Sequence, residues 1–131
     1  MDSTDNTNEI PLLLMNLKKV FDQRIQGPIR NREREYQVNT KSEFIKDITK
    51  YFSARGIQKL AGISAWEDDG ELKIAYHFIA KIGNEFLDTK ITIVTFLSKD
   101  KKLIKSITQI FPNARIFEEE ISKLYKVDFE D

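Results

Sequence analysis

The segment ELKIAYHFIA, residues 71–80, alternates apolar and polar side chains with the period of a half-buried β-strand. One face would carry Leu72, Ile74, Tyr76 and Phe78, and the other Lys73, Ala75 and His77. Asp69-Gly70, just before it, is a strong signal for a two-residue hairpin turn. Residues 57–66 and 86–97 read as the flanking strands, the second after a turn at Gly83-Asn84. These patterns predict a three-stranded antiparallel meander.

Apolar stripes at steps of three and four residues predict helices on both sides of this meander. The first helix would span 10–26, with Pro11 in its first turn and Gly27-Pro28 ending it. The second would start at a capping box, Thr40-Lys41-Ser42-Glu43, and end at Gly56. The third and fourth would span 98–110 and 114–125. The charged segment 30–38 is compatible with an edge strand or a loop.

This order of elements predicts an α+β fold, with an antiparallel sheet of three to four strands and helices packed on one face. Residues 1–9 are polar and are expected to form a disordered tail. Residues 10–131 are then expected to form a single domain, which ends in a short acidic stretch at 127–131. A chain of 131 residues is long enough to bury one sizeable core.

The charge balance disfavours nucleic-acid binding. Lys plus Arg and Asp plus Glu each number 21, so the formal net charge is zero, whereas binding to phosphates favours a basic excess. The arginines at 30, 32 and 34 remain a nucleic-acid alternative, although Glu33 and Glu35 interrupt them. A chain near zero net charge also tends to associate with other proteins.

The residue types restrict the chemistry. The chain has no Cys and one His, which excludes a thiolate nucleophile, a disulfide and a Cys-ligated cluster and disfavours a zinc or haem site. No stretch approaches the ~20 apolar residues of a membrane helix, and no signal-peptide pattern opens the chain. The expected location is the cytoplasm.

His77 is the candidate for acid–base work, and an enzyme that uses it remains an alternative function. A surface or interface histidine with a structural hydrogen bond is the more common case. The carboxylates Glu67, Asp68 and Asp69 fall at the expected hairpin tip, so they are interpreted as a solvated turn and not as a catalytic carboxylate pair. No glycine-rich phosphate loop or nucleophile elbow is present.

The C-terminal segment FPNARIFEEEISKLYKVDF, residues 111–129, is amphipathic as a helix. It resembles the signature of the thirty-kilodalton subunit family of NADH:quinone oxidoreductase (respiratory complex I), which has relatives in energy-converting membrane-bound [NiFe] hydrogenases. The matching positions are Pro112, Ala114, Phe117, Glu118, Glu120, Ile121, Leu124, Tyr125, Val127 and Phe129. Tyr76-His77-Phe78 also resembles a strand of this family. The resemblance covers about residues 57–129.

The segment departs from the family signature at several positions. Glu119 replaces a central arginine, Lys123 an aspartate, Lys126 a glycine and Ile116 an aromatic residue. The reversed charges at 119 and 123 are four residues apart, so a local ion pair with exchanged signs is possible on a helix. They also imply a partner surface that differs from the usual one. These departures and the short C-terminus favour a hydrogenase-type member over a bacterial respiratory one.

The resemblance implies a cofactor-free, non-catalytic subunit of an oxidoreductase complex, with no catalytic, cofactor-binding or metal-binding residues. It implies docking on the large, [NiFe]-hydrogenase-like subunit and on neighbouring iron–sulfur subunits, in an arm that carries electrons. Contact with the membrane would be indirect, through the complex. The partner-binding residues would be Phe117, Leu124, Tyr125 and Phe129 as apolar anchors, and Glu118 and Glu120 as charges that set register.

Overall fold

The computed structural model describes residues 10–81 and 88–131, which fold around a five-stranded sheet. The helices are α1 (Leu12–Phe21), α2 (Ile45–Ala54) and α3 (Ala114–Tyr125). The strands are β1 (Ile25–Arg32), β2 (Glu35–Thr40), β3 (Lys59–Asp68), β4 (Glu71–Lys81), β5 (Asp88–Ser98), β6 (Leu103–Lys105) and β7 (Asp128–Glu130). The predicted turn at Gly83-Asn84 and the predicted tail at 1–9 lie outside the described residues.

The central sheet has the order β1-β2-β5-β4-β3, and the β3–β4–β5 meander is confirmed. Asp69 and Gly70 both have positive φ, at 50° and 82°, which is the backbone of a type I′ hairpin turn. β4 pairs with β5 from Glu71 opposite Ser98 to Lys81 opposite Asp88. The predicted α+β class is confirmed, with five strands instead of three to four.

The two additional strands come from the segment between the first two helices. α1 ends at Phe21 and does not continue to residue 26, because Asp22 adopts a non-helical backbone with φ 49° and a short 3₁₀ turn, Asp22–Arg24, leads into β1. Gly27-Pro28 was expected to end a helix, but it lies within β1, at the irregularity in the β1–β2 register between Gln26 and Ile29. Residues 30–38 contribute to both strands of this β1–β2 hairpin. β2 then pairs with β5 in parallel, so the sheet is mainly but not wholly antiparallel.

The apolar core lies between the sheet and the helices. Phe78 of β4 is the centre of an aromatic cluster, with ring centroids 5.3 Å from Phe52 of α2 and 5.2 Å from Phe111. Leu14 and Leu17 of α1 are fully buried in the same core. On the other face of the sheet, Trp66 and Phe96 remain exposed.

The predicted capping box before α2 is wrong. A short 3₁₀ turn, Ser42–Phe44, precedes α2; the residue before this turn is Lys41, and no side chain caps it. The Thr40 hydroxyl instead donates a hydrogen bond of 2.7 Å to the carbonyl oxygen of Arg24, which joins the end of β2 to the turn before β1. The end of α2 agrees with the prediction, since Gly56 adopts a left-handed φ of 91°.

The predicted helix at 98–110 is also wrong. Its apolar stripe is real, since Ile104 and Ile107 are buried, but β6 occupies part of this segment and pairs in parallel with β7. The lysines at 99, 101 and 102 would have opposed a helix start there, because the N-terminal end of a helix dipole is positive. The acidic stretch at 127–131 therefore contributes a strand to the fold.

Candidate partner interface

α3 lies along β3, the edge strand of the central sheet, and side chains on or next to α3 bond outward-pointing carbonyl groups of that strand. The Asn113 amide donates to the carbonyl oxygen of Leu60 at 2.9 Å, and the Tyr125 hydroxyl donates to that of Ala65 at 3.3 Å. An uncovered edge strand invites pairing with other chains. α3 therefore protects this edge and is itself held in a defined orientation.

The C-terminal end of α3 is fixed by a left-handed residue and by a cation. Lys126 adopts φ 61°, and its amide donates to the carbonyl oxygen of Ser122 at 2.8 Å. The Lys102 ammonium donates to the carbonyl oxygen of Tyr125 at 3.0 Å. A positive group at the last turn satisfies an otherwise unpaired carbonyl and complements the helix dipole.

Glu118 points inward from α3 and is only 5% exposed. Its carboxylate accepts a hydrogen bond of 2.7 Å from the Ser106 hydroxyl and one of 3.0 Å from the Ile107 amide. Burial raises the pKa of Glu118 above its ordinary value, the two hydrogen bonds oppose this rise, and the negative charge of Asp131 adds to it. Glu118 thus attaches α3 to the segment that follows β6.

Glu118 also acts on the core. Tyr76 is fully buried, and its hydroxyl has no hydrogen-bond partner among the described residues. Burial, followed by the negative charge of Glu118, raises the pKa of this tyrosine. Tyr76 therefore stays protonated at physiological pH.

The six residues predicted to bind a partner divide into two groups. Leu124 and Glu120 are exposed, and Leu124 is 67% accessible. Phe117, Tyr125 and Phe129 are half-buried and pack against the core, and Glu118 is buried as described above. In this conformation, only the first group is fully presented to the surroundings.

Ile116 is a surface residue that the sequence reasoning did not select. It is 69% exposed and lies on α3 four residues before Glu120 and eight before Leu124. Residues spaced by four lie on the same side of a helix. Ile116, Glu120 and Leu124 therefore form one exposed strip, called here the α3 strip. Ile116 lies off the buried stripe of Ala114, Glu118 and Ile121. An apolar residue outside the buried face of a helix is the signal that could have identified it.

His77, the candidate for acid–base work, lies on the sheet face opposite the core. Its Nε2 is 2.9 Å from the Ser64 hydroxyl, and its Nδ1 is 3.2 Å from the Thr92 hydroxyl. A Ser–His catalytic pair normally has a carboxylate at the second ring nitrogen to stabilise the imidazolium. A neutral threonine occupies that position here, so the arrangement is typical of cross-strand hydrogen bonding.

We expect His77 to make folding sensitive to acid. Burial, followed by the positive charge of Lys90, lowers its pKa below the ordinary 6.5, so the unfolded chain binds this proton more readily. Its contribution to stability is full above pH 6.5 and is lost as the pH falls toward the folded pKa. NMR titration of the imidazole should give a midpoint below 6.5. Urea unfolding should show that the native chain loses stability relative to His77→Gln on acidification. An NMR titration midpoint above pH 6.5 would contradict this prediction.

The described ranges 10–81 and 88–131 contain no group of three or more His, Cys, Asp or Glu side chains placed to hold a metal ion. None of the helices within these ranges is long and apolar enough to cross a membrane.

Comparison with known proteins agrees with this fold. The family model described as "Respiratory-chain NADH dehydrogenase, 30 Kd subunit" matches residues 38–131, more than half of the chain. No curated protein matches the sequence.

Two of the solved structures that match this chain illustrate the shared fold. A chain of the membrane-bound sulfane sulfur reductase, an archaeal respiratory membrane complex, superposes with a TM-score of 0.72 at 24% identity, over 89% of this chain and 69% of that one. The trypsin-resistant fragment of Nqo5 gives a TM-score of 0.72 at 14% identity, over 89% and 92% of the two chains. The chain belongs to the family of the 30-kDa subunit of respiratory-chain NADH dehydrogenase.

Proposed function

We propose that this chain is a cofactor-free accessory subunit that docks on the large, hydrogenase-like subunit of a complex I-like or energy-converting [NiFe]-hydrogenase complex. The observation that carries the proposal is the family match over residues 38–131, which includes α3 and all six predicted partner-binding residues. Membership of this family makes the chain a subunit of a complex I-like respiratory complex. The identity of the partner and the absence of a cofactor are part of the proposal.

The α3 strip is the proposed direct contact. Ile116 and Leu124 would insert into apolar pockets of the large subunit, and Glu120 between them would meet a basic group and set register. Phe117, Tyr125 and Phe129 support this strip from the core side, and Glu118 holds the helix in place. The chain would thereby help to hold the soluble arm that carries electrons, beside iron–sulfur subunits.

The proposed location is the cytoplasmic side of a membrane, reached only through the complex. Described helices too short to cross a membrane are consistent with a peripheral position. The association with a membrane is proposed from the respiratory family and from the similar chain of an archaeal respiratory membrane complex.

The test is affinity purification of the tagged chain from native membranes in mild detergent. We expect a hydrogenase-like large subunit and iron–sulfur subunits to co-purify. The Ile116→Asp/Leu124→Asp variant should recover at least about tenfold less of the large subunit, because two buried apolar contacts would become charged. Mass spectrometry of the eluate measures the recovery.

The matched control is Leu12→Asp/Val20→Asp. It also introduces two acids at exposed apolar positions eight residues apart, but on α1. This variant should retain the large subunit, and both variants should unfold at the temperature of the native chain. Equal recovery with both variants would remove α3 from the interface, and a bait that brings no subunit with it would overturn the proposed function.

A further inference from the structure

The sheet face opposite the core contains a groove that the proposed docking of α3 does not use. It lies where the neighbouring parallel strands β2 and β5 end, and it has a volume of about 730 Å³. That volume lies within the range of typical ligand-binding clefts. Its lining residues come from β1 to β5 and from the turns before β1 and after β2, and none comes from α3.

Among the residues that the structure describes, the charged ones that line the groove are all basic. They are Arg24, Lys41 and Lys73, and no Asp or Glu from residues 10–81 or 88–131 lines it. An acid at the margin of the groove is Glu71, whose carboxylate lies 3.6 Å from the Lys73 ammonium. In a chain of zero net charge, this one-sided lining makes the groove locally positive.

Arg24 is a fixed cation. Its guanidinium donates to the carbonyl oxygens of Phe21 at 3.1 Å and Val20 at 2.7 Å, and its centre lies 4.7 Å from the Phe21 ring centroid. A side chain already held in this way loses little conformational entropy when an anion binds.

Two exposed aromatic rings border the central lysine of the groove. Trp66 of β3, Lys73 of β4 and Phe96 of β5 are directly opposite one another across three adjacent strands. Trp66 is 41% exposed and Phe96 is 40% exposed, and the Lys73 ammonium lies 5.5 Å from the Phe96 ring centroid. Exposed aromatic residues next to cations are typical of surfaces that bind other proteins.

We propose that this groove binds an extended, acidic segment of a partner protein that also carries apolar side chains. Its carboxylates would meet Lys41 and Lys73, and its apolar groups would pack on Trp66 and Phe96. On β2, the Gln37 side chain donates a hydrogen bond of 2.9 Å from Nε2 to Oδ1 of Asn39. The Nδ2 group of Asn39, which also lines the groove, would donate to the segment's backbone. The one-sided charge selects an acidic occupant, and the exposed rings select a peptide with apolar groups over a small anion.

Trp66 is the only tryptophan of the chain, so its fluorescence reports directly on this groove. The probe is a glutamate-rich synthetic peptide with interspersed phenylalanines and no tryptophan. We expect saturable changes in Trp66 emission that weaken with added salt. A peptide with lysine in place of glutamate should not bind, and free glutamate at the same carboxylate concentration should not reproduce the change.

Charge reversal locates the site. Lys41→Glu/Lys73→Glu should bind the acidic peptide at least about tenfold more weakly, and Lys41→Glu alone, which alters only an exposed side chain, should bind it about threefold more weakly. Lys50→Glu/Lys105→Glu makes the same change in net charge at exposed positions outside the groove and should bind normally.

The Ile116→Asp/Leu124→Asp variant should also bind the peptide normally, which separates this proposal from the docking of α3. The proposal is overturned if the two charge-reversed double variants bind alike or if the lysine peptide binds as tightly. It is also overturned if sedimentation shows a dimer of the native chain that Lys41→Glu/Lys73→Glu dissociates and Lys50→Glu/Lys105→Glu does not.

Discussion

Replacing both Phe117 and Tyr125 with alanine is expected to lower the free energy of unfolding by about 4 kcal/mol. Removal of a fully buried Phe ring costs about 3–5 kcal/mol, and each of these half-buried rings should cost about half of that. The change also removes the hydrogen bond from the Tyr125 hydroxyl to the carbonyl oxygen of Ala65. Urea unfolding followed by circular dichroism measures the loss.

The matched control is Ile116→Ala/Leu124→Ala, on the same helix. These side chains are 69% and 67% exposed, so their truncation should change stability by less than about 1 kcal/mol. If the Phe117→Ala/Tyr125→Ala variant were as stable as this control, the two rings would be free to act as the partner anchors that the sequence suggested. A large loss in the free energy of unfolding would mean that the two rings mainly stabilise the folded core.

Replacing Glu118 with alanine is expected to lower the free energy of unfolding by about 3 kcal/mol. The change leaves the Ile107 amide buried without its acceptor, and an unsatisfied buried donor costs about 1–3 kcal/mol. It also removes the bond from the Ser106 hydroxyl and the link between α3 and the β6 region. Chemical unfolding measures this cost, and Glu120→Ala, at an exposed position two residues later, should change stability by less than about 0.5 kcal/mol.

Glu118→Gln isolates the charge from the hydrogen bonds. A glutamine oxygen can still accept from the Ile107 amide, and its NH₂ group can donate to the Ser106 hydroxyl. Because burial raises the pKa of Glu118 in the folded state, the folded chain binds this proton more readily than the unfolded chain. The native chain should therefore gain stability relative to Glu118→Gln as the pH falls through the raised pKa, with the full gain below the ordinary value of 4.5.

The difference in stability between the native chain and Glu118→Gln excludes the contributions of the other carboxylates, because both proteins contain them. A stability difference that is constant between neutral pH and pH 4 would show that Glu118 has the same pKa in the folded and unfolded chain. A difference in the opposite direction would show that its two hydrogen bonds outweigh its burial.

Local patterns in the sequence predicted several elements correctly. The alternation over residues 71–80 and the Asp69-Gly70 turn lead to β3, β4 and β5, because a strand buried on one face must alternate. The apolar stripe at 114–125 coincides with α3. The family resemblance in that segment is confirmed by the family match.

Local sequence patterns predicted the wrong element where a strand pairs with residues that are distant in the chain. The stripe at 98–110 has helical spacing, yet β6 gains hydrogen bonds from β7, which lies more than twenty residues later. Likewise, β2 pairs in parallel with β5, and a charged segment such as 30–38 carries no local signal for such a pairing. Parallel pairing always depends on a connection through the rest of the fold.

The sequence by itself determined the elements whose signal lies within a few residues: the meander, α2, α3 and the family to which the chain belongs. Only the tertiary structure decided which of the consecutive glutamates 118, 119 and 120 is buried, because that depends on the position of α3 against Ser106 and Ile107. It also decided that Trp66, Lys73 and Phe96 lie side by side. Burial and register result from packing over the whole chain, so no local pattern can specify them.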